Sequence, residues 1–168
     1  MSLRVRRLEA ADDRSSFSSG NEDLDRFFHR YAGQNQFRHH LGTTYLAVDA
    51  HELIAGFVTV TASELTPAVL PPQRRKKLPA YPVPVLRVAR LAVDARFRGQ
   101  GVGALLLRSA LALALELQQR VGCLGVVVDA KRDAVAFYAK LGFVRLDAVA
   151  GHLGDRPEPT PMFLELAG

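Results

Sequence analysis

Positions 98–103 read Arg98-Gly99-Gln100-Gly101-Val102-Gly103, three glycines in six residues between a strand-like run and a long helical one. Glycines free the backbone to approach a ligand and to turn amides towards it. The helix that follows adds unpaired N–H groups and the positive end of its dipole, so the chemistry on offer is recognition of a pyrophosphate. Two phosphate loops are excluded. No Gly-Lys-Ser/Thr is present for a nucleoside triphosphate. The Gly-x-Gly-x-x-Gly spacing of a dinucleotide loop is missing, and Leu117 to Arg120 hold no acid for a ribose. A glycine-rich structural cap is the bland alternative. The strand–turn–helix setting, with arginine leading, favours phosphate.

The elements that must position this loop fit one domain of 168 residues, 48% hydrophobic and 23% charged, which excludes wholesale disorder. Leu3 to Leu8 alternates weakly, as an edge strand would. Asn21 suits a helix N-cap, with Glu22 and Asp23 in the first turn. Leu24, Phe27, Phe28 and Tyr31 then follow at i, i+3, i+4 and i+7, one apolar helical face. Thr43 to Val48 and Leu53 to Thr61 read as a hairpin around Asp49-Ala50-His51-Glu52. Pro67 to Pro84 holds six of the nine prolines and the run Arg74-Arg75-Lys76-Lys77, a surface excursion rather than core. Val85 to Val93 returns to a strand. Ala104 to Gln119 reads as a long helix, apolar nearly all round and therefore buried. Leu124 to Val128 suits a buried strand, Asp133 to Leu141 a short helix, and Phe143 to Val149 and Met162 to Leu166 closing strands. The expected architecture is α/β (α+β), one domain spanning 1–168 around a mixed sheet of six to seven strands.

Composition narrows the rest. The one cysteine, Cys123, excludes a disulfide framework and reads as a small buried residue; no Cys and His cluster suggests a metal site. The most apolar stretch, Gly101 to Leu117, is interrupted by Arg108 and Glu116, which argues against a membrane span. The start, Met-Ser-Leu-Arg-Val-Arg-Arg, has no apolar core for a signal peptide, so a cytoplasmic protein is expected. The net charge is +5 with a pI near 9.8, and 18 of 22 cations are arginine. That suits nucleic acid or a phosphorylated cofactor; a generally Arg-, Ala- and Leu-rich composition accounts for it equally well.

Leu91-Ala92-Val93 followed by Arg98-Gly99-Gln100-Gly101-Val102-Gly103 resembles the acyl-CoA signature Arg/Gln-x-x-Gly-x-Gly/Ala of the GNAT acetyltransferases, with Ala136-Phe137-Tyr138 and Leu141-Gly142-Phe143 following in the family's order. The resemblance implies a GNAT fold and acetyl-CoA as cofactor. Main-chain atoms of Leu91, Ala92 and Val93 would pair with the pantetheine arm, and the amides of Arg98, Gly99, Gln100, Gly101, Val102 and Gly103 would cradle the pyrophosphate. Outside that signature, Asp12-Asp13-Arg14-Ser15-Ser16-Phe17, Gly20-Asn21 and Leu24-Asp25-Arg26-Phe27 resemble the GNAT toxins of bacterial toxin–antitoxin operons. Leu78-Pro79-Ala80-Tyr81-Pro82-Val83-Pro84 and Val127-Val128-Asp129-Ala130 match that branch too. Ser19 stands where the branch often has cysteine. The branch acetylates the α-amine of aminoacyl-tRNA and so blocks translation. It also implies a cognate antitoxin, a small DNA-binding protein with a flexible tail, and a possible homodimer.

By the same resemblance Tyr138 faces the thioester and is the expected catalytic residue. A phenol can donate a proton to the departing thiolate or hold it by a hydrogen bond; a packing aromatic is the plain alternative. A main-chain N–H at Leu91 to Val93 would serve the oxyanion. No histidine convinces as a base: His29, His39, His40, His51 and His152 read as solvated. Glu64, Asp94 and Asp129 lie near strand ends, more readily caps and surface pairs than proton relays. A free α-amine titrates at about 7.7–8.0 against about 10.4 for a lysine side chain, so a missing base leans towards an α-amine acceptor.

Arg74, Arg75, Lys76 and Lys77, with Arg87 and Arg90, could attract an acceptor stem. Arg87 and Arg90, three apart on a strand, point to opposite faces. Two other functions remain open at this stage: acetylation of a small amine or protein N-terminus, and a non-catalytic module binding CoA or a partner protein.

Overall fold

The computed structural model describes residues 2–146 and 159–167. Seven strands form one mixed sheet in the order β1-β2-β3-β4-β5-β7-β6. They are β1 (Arg4–Arg7), β2 (Thr43–Val48), β3 (Ile54–Leu65), β4 (Val83–Val93), β5 (Gly125–Ala130), β6 (Val144–Arg145) and β7 (Thr160–Glu165). The helices are α1 (Glu22–Arg26), α2 (Ala32–Phe37), α3 (Pro72–Arg75), α4 (Val102–Arg120) and α5 (Val135–Lys140). The expected fold class is the one observed. Short 3-10 turns at Pro67–Val69, Ala95–Phe97 and Arg132–Ala134 were not legible in the sequence pattern. The chain divides into two compact units, Met1–Thr61 with Val88–Leu113, and Ala62–Arg87 with Ala114–Gly168.

In the first unit β1 is the outer strand, antiparallel to β2 with Arg4 opposite Val48 and Arg7 opposite Tyr45. The β2–β3 hairpin pairs Thr43 with Val60 and Leu46 with Phe57. Asp49 closes its turn, one carboxylate oxygen accepting from the amides of His51 and Leu53 at 2.9 Å each. Asn21 caps α1 as expected, accepting from the Leu24 amide at 3.1 Å. Beyond α1 the single apolar stripe fails. Phe27–Tyr31 winds as a π turn between α1 and α2. The wider turn shifts the register, so Ala32 takes the inward place and Tyr31 swings out to 42% exposure. Arg14 steadies the turn by donating to the Phe28 carbonyl at 2.8 Å. Phe28 stacks on Phe57 with centroids 4.3 Å apart, and Phe17 packs edge-on to both. Leu8, Leu46, Val48, Ile54 and Ala92 complete this core. Buried Gln36 spans it, donating to the Leu8 carbonyl and accepting from the Thr44 amide.

The core of the second unit gathers Leu65, Leu70, Val83, Val85, Val127, Leu146 and Phe163. Here the proline-rich segment departs from the sequence reading. It is no free excursion, because Leu70 is fully buried and Pro67 is buried in the first 3-10 turn. The prolines set its turns, while its apolar side chains anchor it. β5 pairs antiparallel with β7 from Gly125–Glu165 to Ala130–Thr160, and β6 pairs with β7 as well. Of the closing strand expected at Phe143 to Val149, Val144 and Arg145 are extended, and 147–149 lie outside the described residues.

Helix α4 starts two residues earlier than expected and takes in Val102 and Gly103. Its buried residues Val102, Leu106, Leu107, Ala110 and Ala114 recur at helical spacing. Arg108, Ala112, Leu115 and Glu116 are exposed. The helix is therefore two-faced, not buried all round. Over an 18-residue window its mean hydropathy is 1.2, enough to cross a membrane by length and composition alone, a measure that the packed helix of a globular fold also meets.

Candidate active site

The end of β4 brings Leu91, Ala92 and Val93 to the start of the glycine loop, with Ala92 buried and its neighbours half-buried. The Asp94 amide then donates to the Ala55 carbonyl at 2.8 Å, holding this end of β4 beside β3. Gly56 makes that approach possible. A Cβ there would lie 2.8 Å from the Ala92 carbonyl and 2.9 Å from a Val102 methyl. After the Ala95–Phe97 turn come Gly99 and Gly101, both at φ +77, in the left-handed region where glycine alone is unstrained. A Cβ at either would meet no protein atom within 4 Å, so the loop opens to free space. The Gly101 carbonyl accepts the first helical bond of α4, from Leu105 at 3.0 Å. The amides of Val102, Gly103 and Ala104 then have no partner within the helix. An open cradle of glycine backbone at the positive end of a 19-residue helix fits an anionic pyrophosphate.

The N-terminal segment holds this loop from the other side. Asp94, 1% exposed, accepts from the Ser18 amide at 3.1 Å and from the Arg96 amide and guanidinium at 2.8–3.1 Å. Burial would raise its carboxyl, but the bonds from Arg96 and Ser18 outweigh that and hold it below the usual carboxylate range. Asp94 is thus a committed cap and no proton relay. Arg98 donates to the Ser19 carbonyl at 2.5 Å, and Ser19 is held by Asp25. These partners escaped the sequence reading, although Ser19, Gly20 and Asp25 stood in the segment that resembled the toxin branch. Arg90 lies over the Phe27 ring, its guanidinium carbon 3.8 Å from the centroid.

The remaining expected residues belong to the second unit. Tyr138, on α5, is 4% exposed and packs edge-on to Phe137 and Phe143, with centroids 5.1 and 5.4 Å away. Burial pushes its phenol up to about 12, so it stays a protonated donor at neutral pH. Arg74 pairs with Glu165 at 2.7 Å, and Arg75 donates to the Ala68 carbonyl at 3.1 Å. Lys76 and Lys77 are exposed. Arg87 pairs with Asp129 at 2.7 Å, and Glu64 is exposed. Cys123 is buried, with burial pushing its thiol up. His39, His40 and His51 are exposed as expected, while His152 lies outside the described residues. His29 is exposed as well, with its Nε2 2.8 Å from the Phe17 carbonyl. Among the described residues no three His, Cys, Asp or Glu side chains gather as metal ligands.

Residues 40–145 match the acetyltransferase (GNAT) domain. With the fold and the loop above, the chain belongs to the GNAT family and is an N-acetyltransferase. Within that family it is 34% identical over 139 residues, 82% of each chain, to a tRNA-acetylating toxin of Mycobacterium tuberculosis (strain ATCC 25618 / H37Rv). Its structure is similar to that of AtaT complexed with acetyl-methionyl-tRNAfMet: 26% identity, 98% of this chain and 95% of that one, TM-score 0.84. It is also similar to AtaTR bound with acetyl-CoA: 27% identity, 97% and 93% covered, TM-score 0.76.

Proposed function

We propose that this enzyme transfers an acetyl group from acetyl-CoA directly to the α-amine of an aminoacyl-tRNA and so acts as a translation-blocking toxin of the cytoplasm. The observation that carries the reading is the 34% identity, over 82% of both chains, to a tRNA-acetylating toxin. The cradle of Gly99, Gly101 and the α4 N-terminus supports the cofactor. We take residues 1–168 to work as one acetyltransferase domain, with an antitoxin and a second copy of the chain as further partners.

Acetyl-CoA supplies the acetyl group activated as a thioester. Main-chain groups of Leu91, Ala92 and Val93 pair with its pantetheine arm, and one of their N–H groups steadies the developing oxyanion. The amides of Arg98 to Gly103 hold the pyrophosphate. Tyr138 serves the departing sulfur. A phenol at about 12 is a weaker acid than an alkyl thiol near 8.5, so the hydroxyl holds the thiolate by a hydrogen bond more readily than it surrenders its proton. A strong base is not required for an esterified α-amine, which titrates below the about 7.7–8.0 of a free one and so has a substantial unprotonated fraction near neutral pH. Capped Asp94 and ion-paired Asp129 agree with that. Lys76 and Lys77, with Arg74, Arg75, Arg87 and Arg90, meet tRNA phosphates.

Transfer of labelled acetyl to charged tRNA, with free amino acids and polyamines as rival acceptors, tests the reading. Label on the aminoacyl group upholds it. Label on the small amines alone leaves an acetyltransferase of another substrate, and binding of CoA with no transfer to any amine leaves a binding module.

A further inference from the structure

The carbonyl that receives Arg98 belongs to a residue that is itself locked. One oxygen of Asp25, Oδ1, accepts from both the amide of Ser19 at 2.9 Å and its hydroxyl at 2.7 Å. The Ser19 Oγ accepts in turn from the Asn21 amide at 3.2 Å. Gly20 lies between them at φ +88, where a Cβ would stand 2.8 Å from Arg98 Nη2. The turn is thus built so that the Ser19 carbonyl, with no side chain beside it, meets the guanidinium 79 residues further along.

We propose that Asp25 is a positioning residue for the cofactor loop. It orients Ser19, Ser19 holds Arg98, and Arg98 sets the entry of the Arg98–Gly103 backbone that cradles the pyrophosphate. This rests on reading that loop as the CoA site. Asp25 is bonded to Ser19, not to the loop, so its effect passes through two links. Restricting Arg98, a side chain with several free rotamers, before the cofactor arrives removes an ordering cost from binding. A distant carboxylate on α1 thereby tunes affinity for the cofactor without touching it.

Calorimetric titration with coenzyme A tests this without any acceptor. Asp25→Ala is expected to weaken CoA binding about tenfold, the scale of a lost hydrogen bond to a charged group. Asp25→Asn keeps the accepting oxygen and should stay within about twofold. In an Arg98→Ala background Asp25→Ala should add no further loss. In turnover the KM for acetyl-CoA should rise by the same factor, with kcat and the acceptor KM unchanged. Unaltered CoA affinity in Asp25→Ala, an equal loss in Asp25→Asn, or full additivity with Arg98→Ala overturns the proposal while the cofactor reading stands. A wild-type chain that binds no CoA overturns both. If Asp25→Ala does not fold, Ser19→Ala removes the hydroxyl bond to Asp25 together with the acceptor of the Asn21 amide, keeps the Ser19 amide bond, and should weaken CoA about threefold; no change there also overturns the proposal.

Discussion

Ser18 and Asp94 grip each other from two directions. The Asp94 carboxylate accepts from the Ser18 amide at 3.1 Å, and the Ser18 carbonyl accepts from the amide of Ala95, next to Asp94, at 2.9 Å. One residue follows the buried Phe17; the other follows β4 and caps the Ala95–Phe97 turn that leads into the glycine loop. The entry to the glycine loop is therefore tied to the phenylalanine core of the first unit, and the N-terminal segment is part of its frame.

Removing the Asp94 carboxylate should destabilise the fold. Asp94→Ala takes a buried carboxylate away from the Ser18 amide and from Arg96, both of which water can reach, so the loss is about 1–2 kcal/mol by denaturant unfolding. Because its carboxyl sits below the ordinary 3.8, this stabilisation is complete above 3.8 and fades as pH falls through the lower, folded value. The acid limb of a stability profile should accordingly be shallower in Asp94→Asn.

Gly56→Ala tests the closeness of β3 and β4. Its Cβ would press on the Ala92 carbonyl at 2.8 Å, a main-chain atom that cannot turn aside. Overpacking of this kind costs about 1–3 kcal/mol. A lowered melting temperature with weakened CoA binding is the expected pair of changes, since Ala92 lies in the strand proposed to pair with the pantetheine arm.

Much of this was legible in residues close together in sequence. The loop at 98–103 announces itself because glycine conformation and a helix start are local matters, and Asn21 could be read as a cap for the same reason. The π turn was not: Phe27 and Phe28 suit either winding, and only Tyr31, a turn later, reveals the shift. The ties from Arg98 to Ser19 and from Arg74 to Glu165 span 79 and 91 residues, and no spacing rule reaches that far. Prolines marked Pro67 to Pro84 as irregular, but irregular backbone can still bury a leucine, as Leu70 does.

Gly101→Ala should separate conformation from packing. Free space surrounds the position, so no clash arises and the cost is the left-handed backbone alone, about 1–2 kcal/mol. Re-aimed amides should weaken CoA binding about tenfold, read by titration, with the far-ultraviolet circular dichroism unchanged.

Tyr138→Phe keeps both edge-on ring contacts and removes the hydroxyl. kcat should fall about a hundredfold, with both KM values nearly unchanged. The phenol is raised in the folded chain, so its contribution to stability is complete below pH 10 and is lost as pH climbs towards about 12. Tyr138→Phe should lack that alkaline loss, and wild-type kcat should show no fall from this phenol below pH 10.

The most direct test is mass analysis of the aminoacyl-adenosine released by nuclease from charged tRNA, after incubation with acetyl-CoA and either the wild-type chain or Tyr138→Phe. The expected result is one added acetyl group on the amino-acid amine with wild type, largely lost in the variant. Unmodified aminoacyl-adenosine beside acetylated polyamines or free amino acids would contradict the account.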